Sequence, residues 1–209
     1  MAKVNASITI SVDGYITGPN DGPGCGLGEG GERLHYWVMG GPWTYADEGR
    51  GEATGEDAAF LAVMMARLGA VVGGRATYEA AGHWGDENPF GVPMYIVTHR
   101  PEEQPDDEFI FVDGLEGAIG QAIEVAGERD VSLMGGADVI RQGLEAGLVD
   151  ELTVIVAPVV LGAGKRLFEG FTDSLELEHI GLRQSPRSSS APTRSRGCSR
   201  ASEARRSPG

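Results

Sequence analysis

Hydrophobic and polar positions alternate along residues 3–12 (Lys-Val-Asn-Ala-Ser-Ile-Thr-Ile-Ser-Val), which reads as a first strand ending at Asp13-Gly14. Residues 18–31 then hold seven glycines and read as a mobile loop. A short helix is expected over Glu32 to Met39, followed by a second loose stretch at 40–55. Thr54 and Asp57 have capping-box spacing and open a helix with Phe60, Leu61, Met64, Met65 and Leu68 on its buried side. From there short apolar runs alternate with helical periods. Strands are predicted at 70–72, 93–97, 109–112, 131–133, 150–156 and 175–182. Asp113 is expected to cap a helix with Glu116 in its first turn and Ile119, Ala122, Ile123 and Ala126 on its inner face. Another helix is expected from about Ala137 to Glu145. Strands alternating with helices predict an α/β fold with a mainly parallel sheet covered on both faces.

Size and composition fit one domain. The 209 residues are 41% hydrophobic and 23% charged, ordinary for a globular chain. The longest apolar runs, such as 152–161, are far short of a membrane span. Met1-Ala-Lys leads into a strand pattern, not the apolar core of a signal peptide. Cys25 and Cys198 lie in unrelated segments and suggest no disulfide framework, so a cytoplasmic location is expected.

Charge changes the picture. The net charge is −14, yet residues 1–182 carry 30 acids against 10 bases, while 183–209 carry seven arginines and one acid, Glu203. An acidic body is expected to bind neither nucleic acid nor an anionic membrane. Any anionic ligand must be held by a few local cations. The domain is therefore bounded at 1–182, with 183–209 as a basic Ser/Arg/Pro-rich tail that cannot bury a core. Two readings of the tail stand. It is a disordered segment, or it is a stretch read out of frame. Heavy use of Arg with Lys only at Lys3 and Lys165 suggests GC-rich coding, in which a Val-rich strand becomes a Ser/Arg/Pro run after a slip near Gly181. Sequencing the gene separates them.

Three strand ends carry groups suited to phosphate. Gly73 and Gly74 precede Arg75 and Thr77; Thr98, His99 and Arg100 follow another strand; Gly135 and Gly136 follow a third and open a helix. Ligands of open α/β sheets sit outside the carboxyl ends of the strands. Three such ends suggest one long phosphate-bearing ligand, a dinucleotide. The cations Arg75, His99 and Arg100 in an acidic chain favour NADP over NAD. Gly26-Leu27-Gly28-Glu29-Gly30-Gly31 matches the Rossmann glycine spacing, but no strand precedes it, and a flexible lid is the better reading. The four histidines show no metal spacing, and no metal is expected.

These residues give the chain its resemblance. Ser11-Val12-Asp13-Gly14-Tyr15-Ile16, Gly74-Arg75-Ala76-Thr77-Tyr78-Glu79 and Met134-Gly135-Gly136-Ala137 resemble the dihydrofolate-reductase-like superfamily. Gly147-Leu148-Val149-Asp150-Glu151-Leu152 and Ala157-Pro158-Val159-Val160-Leu161-Gly162-Ala163-Gly164 resemble, within it, the group related to the reductase domain of riboflavin biosynthesis. The resemblance covers residues 3–182. It implies a three-layer α/β/α fold, a mostly parallel central sheet ending in antiparallel C-terminal strands, a homodimer, and NADPH along the strand ends. By position, Gly74, Arg75 and Thr77 would grip the pyrophosphate, and Thr98, His99 and Arg100 would lie near the adenosine phosphate. Gly135, Gly136, Ala137 and Asp138 would support the diphosphate and ribose, while Ile10, Asp13, Gly14 and Ile16 would line the nicotinamide side.

Two departures bear on substrate. Dihydrofolate reductases hold the pterin with a carboxylate just ahead of a Leu-x-aromatic run; here Arg33 precedes Leu34-His35-Tyr36-Trp37, and Glu32 stands one further back. One helical position is a rotation of about 100°. Riboflavin reductases place an acid before the Gly-Gly, where this chain has Met134. The expected reaction is hydride transfer from NADPH to a C=N or C=O carbon of a small planar heterocycle. Asp13 is either a proton relay or a turn cap, and Glu32 either a proton donor or a helix-start charge. Trp37, Trp43, Tyr45 and Tyr78 are candidate walls for the substrate, with core packing favoured for Trp37. The alternatives are a non-catalytic dimeric NADPH-binding protein, or 5-amino-6-(5-phosphoribosylamino)uracil reductase activity.

Overall fold

The computed structural model describes residues 2–47, 51–103, 108–172 and 174–195. The chain forms β1 (Val4–Ile10), α1 (Gly55–Arg67), β2 (Leu68–Gly74), α2 (Arg75–Ala80), β3 (Met94–Thr98), β4 (Ile110–Asp113), α3 (Leu115–Ala126), β5 (Asp130–Met134) and α4 (Ala137–Glu145). It ends in β6 (Glu151–Val156), β7 (Leu177–His179), β8 (Arg183–Gln184) and β9 (Ser189–Ser195). Short 3-10 segments lie at Gly31–His35 and Gly82–Asp86.

One sheet runs β4-β3-β2-β5-β1-β6-β9-β7, with β8 also paired to β9. The six strands from β4 to β6 are parallel, and the joins to β9 are antiparallel. The central strands are apolar because both faces are covered. All of β2 is buried, and its alternation sends Val72 into one core cluster and Val71 into the other. The larger cluster receives Leu115, Ala118, Ile119, Ala122 and Ala126 from α3, one face of a 3.6-residue period. The smaller is aromatic, with Tyr78, Phe109 and Phe111 over Met94 and Ile96.

Several expectations shift. The segment after Gly31 closes one 3-10 stretch, not a helix to Met39. No side chain caps α1 or α3: Thr54 makes no cap bond, and Gly114, not Asp113, stands at the start of α3. Asp57 turns inward instead. α1 buries little else, since Phe60, Leu61 and Met64 are half-buried, Met65 is exposed, and Leu68 already belongs to β2. The glycine-rich 18–31 segment is not a loose loop. It is pinned by Gly18 N to Leu27 O (2.7 Å) and Glu29 N to Pro19 O (2.8 Å). A Cβ on Gly18 would stand 2.0 Å from Glu29 O, so close backbone approach explains the glycine.

The largest difference lies at the C-terminus. Residues 183–195, placed in a tail by composition, form β8 and β9 inside the sheet. Ladder bonds belong to the backbone, so a polar strand still docks where β6 offers an edge. Pro192 leaves its mark. Its carbonyl accepts from Ile180 N (3.0 Å), but it has no N–H to return; the expected 175–182 strand shortens to β7, which stops just before this point, and pairing resumes only in β8 beyond it. Residues 196–209, with Cys198 and Glu203, lie outside the described residues. Among the described residues, no helix is long and apolar enough to cross a membrane.

Candidate cofactor site

Parallel strands deliver their carboxyl ends to one rim. In register, Gly73 faces Met134, Gly74 faces Val97 and Thr98 faces Asp113, so the ends of β5, β2, β3 and β4 stand side by side. Arg75 reaches along this rim. Its Nη1 lies 3.5 Å from Thr98 Oγ1 and 3.4 Å from the Arg100 carbonyl. In the other direction, a Cβ on Gly135 would stand 2.6 Å from Thr77 Cγ2, and one on Gly136 2.9 Å from Thr77 Oγ1. Gly135 and Gly136 are also left-handed (φ 63° and 75°), which lets the chain turn from β5 into α4 against Thr77. Gly74 packs against Val139 of α4, where a Cβ would meet Cγ2 at 2.8 Å. The sequence-derived groups Gly74, Arg75, Thr77, Thr98, Arg100, Gly135 and Gly136 therefore meet on one edge.

Arg75 is strongly held as a cation. Its pKa is raised, first by the Glu79 hydrogen bond (Nε to Oε1, 2.9 Å) and further by Glu103. His99 stands apart: its ring is almost fully exposed and faces Asp113 at 3.5 Å. Ala137 is buried, while Asp138 points outward to pair with Arg141.

At the β1 end, Asp13 is a clamp. Its carboxylate accepts from Leu161 N (3.1 Å) and Gly162 N (2.7 Å). The Ser11 hydroxyl above all, then these amides, pull its pKa down to about 2. A carboxylate this acidic holds no proton to relay at neutral pH, so the turn reading of Asp13 prevails. The stabilisation it gives is present above about pH 4 and is lost as pH falls through about 2. Asp13→Asn is expected to flatten the acid limb of a melting-temperature profile between those values. Gly14 follows with φ 87°, Ile16 is buried and bonded through its N–H to Lys165 O (2.8 Å), and Ile10 ends β1 half-buried.

The expected substrate walls divide. Trp37 is buried and donates to Thr9 Oγ1 (3.0 Å) beneath Phe60, which makes it core. Trp37→Phe is expected to cost about 1–2 kcal/mol in urea unfolding by orphaning the buried Thr9 hydroxyl. Tyr78 is also core, edge-on to Phe109 and Phe111 and stacked on His83 at 4.4 Å. Trp43 is half-buried, donates to the Glu32 carbonyl (3.1 Å) and meets Tyr45 edge-on at 5.0 Å. Tyr45 accepts from Leu27 N (2.6 Å); burial first, with the Glu32 charge contributing, raises its pKa to about 12. Glu32 is half-buried beside this pair. His35 is pulled down to about 4 by desolvation, so it is neutral at physiological pH.

Asp57 has a role other than the cap its spacing predicts. Its buried carboxylate accepts from Arg183, from Ser185 Oγ (3.0 Å) and from Ser188 Oγ (3.2 Å), and Arg183 stacks over Phe60 at 4.5 Å. Capping-box spacing hid it, and its partners lay in the segment read as a tail.

A mostly parallel central sheet that ends in antiparallel strands, with polar and glycine-rich turns gathered along one strand-end rim, gives the chain the dihydrofolate-reductase-like fold class. Solved structures agree. A Shewanella sp. PV-4 protein assigned to riboflavin biosynthesis superposes with a TM-score of 0.68 at 22% identity, covering 94% of this chain and 99% of that one. A pyrimidine reductase-like protein of Corynebacterium diphtheriae gives 0.59 at 16%, covering 93% and 92%. Dihydrofolate reductase of Enterococcus faecalis, in complex with NADP(H), gives 0.58 at 14%, covering 92% and 96%. The chain belongs to the RibD C-terminal domain family, whose model matches residues 2–188. Two curated Bacillus subtilis (strain 168) relatives are YwjB, 29% identical over 117 residues, and YyaP, 33% identical over 88. Those matches cover 54% and 42% of this chain, and only 66% and 46% of the relatives' own lengths.

Proposed function

We propose that this chain is an NADPH-dependent reductase that delivers a hydride to a C=N or C=O carbon of a small planar heterocycle. The observation that carries the reading is the convergence of Arg75, Thr77, Thr98, Gly135 and Gly136 along one rim. The donor set suits the cofactor. Arg75 and Arg100 supply guanidinium forks for phosphate, Thr98 a hydroxyl, and the turn at Gly135-Gly136 starts α4 without a side-chain cap on its first amides. When bound, the reduced nicotinamide supplies the hydride. The chain's own part is orientation. Asp13 ties the β1 exit to Leu161 and Gly162, fixing the wall beside Ile10, Gly14 and Ile16 against which the ring would lie.

With Asp13 fixed as a carboxylate, Glu32 is the remaining candidate of the two for a proton donor. That same observation favours a second reading, a protein that binds NADPH without catalysis. Titration with NADPH, then cofactor oxidation at 340 nm against pterins, quinones, imines and carbonyls, separates them. Binding with turnover of one class supports the reductase. Binding without turnover supports the second reading, and no binding removes both.

A further inference from the structure

Arg75 and Arg100, the two guanidiniums best placed for an adenosine phosphate, already share an anion. Glu103 Oε2 lies 3.1 Å from Arg75 Nη2 and 3.0 Å from Arg100 Nη1, and its Oε1 lies 3.3 Å from the same Arg100 nitrogen. Thr98 Oγ1 completes the corner, 3.5 Å from Arg75 Nη1 and 3.1 Å from Arg100 N. Two arginine forks and a hydroxyl around one carboxylate form the donor set that holds a phosphate monoester.

We propose that Glu103 is an internal stand-in for the cofactor's 2′-phosphate, a specificity-determining residue that the phosphate must displace from Arg75 and Arg100. The inference rests on the NADPH reading above. Displacement is feasible because the Glu103 and Arg100 side chains are about half exposed (45% and 57%), whereas Arg75 is the covered anchor at 20%. Glu79 holds Arg75 in place through Nε, leaving Nη1 and Nη2 turned toward Thr98, Arg100 and Glu103. A phosphate with about −1.5 to −2 charge outcompetes a single carboxylate for two guanidiniums. A nucleotide with only a 2′-hydroxyl does not, and it leaves the Glu103 bridge closed. Glu103 thus tunes the preference between phosphorylated and plain adenosine ends, lowering affinity for the former.

The test uses the full chain and two probes, adenosine 2′,5′-bisphosphate and 5′-AMP, titrated into wild type, Glu103→Gln and Glu102→Gln. Glu102→Gln makes the same charge change one residue away. Removing exposed pairs of this kind is expected to tighten 2′,5′-bisphosphate binding by about three- to tenfold in Glu103→Gln. Binding of 5′-AMP should stay within about twofold, Glu102→Gln should move neither, and the gain should shrink in high salt. Equal gains for both probes, an equal effect of Glu102→Gln, or no gain at all overturns the role of Glu103. If wild type binds NADPH while the ratio is unmoved, only Glu103's role falls. If it binds neither NADPH nor the bisphosphate, the cofactor reading falls with it.

Discussion

Replacing Asp57 with alanine is expected to destabilise the fold by about 3–5 kcal/mol, because it strands a largely buried arginine. The Asp57 side chain is only 3% exposed and that of Arg183 16%, so water cannot replace the lost partner. Arg183 is already short of contacts: its Nε is one of three buried side-chain atoms without a hydrogen-bond partner among the described residues. Ser185 and Ser188 would also lose the acceptor that ties the β8–β9 turn to α1. Since α1 buries little apolar surface, this network is its main anchor, and hydrogen exchange should report α1 opening first. Urea unfolding measures the total. Asp57→Ala combined with Arg183→Leu should recover part of the loss, because the second change removes the stranded charge. A loss for Asp57→Ala below about 1 kcal/mol would show that the network is solvated.

Gly135→Val is the second large effect. A β-branched residue at φ 63° is strained by itself, and its Cβ would also stand 2.6 Å from Thr77 Cγ2. The neighbour cannot easily yield, since Thr77 belongs to α2 and is followed by Tyr78, which is locked among Phe109, Phe111 and His83. A cost of about 2–4 kcal/mol is expected from strain and clash together. Nucleotide affinity should fall further than stability alone explains, because relief of the clash pushes Thr77 away from the rim. Thermal melting with and without NADPH separates the two effects. The cofactor-induced rise in melting temperature should vanish in Gly135→Val, whereas Gly120→Val, at an exposed position of α3 with open space around its backbone, should keep it.

Much of this architecture was legible because its causes are local. The inner face of α3 and the limits of α4 follow from a 3.6-residue period, β2 and β5 from short apolar runs followed by glycine, and β3 from its apolar run ahead of Thr98-His99-Arg100-Pro101. The rim was legible for the same reason: Gly74-Arg75-Ala76-Thr77 and Met134-Gly135-Gly136 each sit where a strand must turn. What escaped depends on tertiary partners. β9 has no apolar alternation, and only the free edge of β6 makes it a strand. Its cost is visible in Ser190, whose buried Oγ has no partner among the described residues. Asp57 looked like a cap because a capping carboxylate and a buried ion-pair carboxylate have the same sequence spacing. Tyr78 reads as a candidate wall because an aromatic beside a functional motif does not reveal which face of the sheet it joins, whereas the core packing favoured for Trp37 is what the structure has. The glycine-rich 18–31 segment looked mobile in composition, yet its glycines serve close backbone contact.

The proposed reductase needs a rim that grips a 2′-phosphorylated adenine dinucleotide. Isothermal titration calorimetry of the full chain with NADPH and, separately, NADH tests that most directly. Saturable one-site binding of NADPH, tighter than NADH, is the predicted result. Equal affinity for the two, or no heat with either, would contradict it.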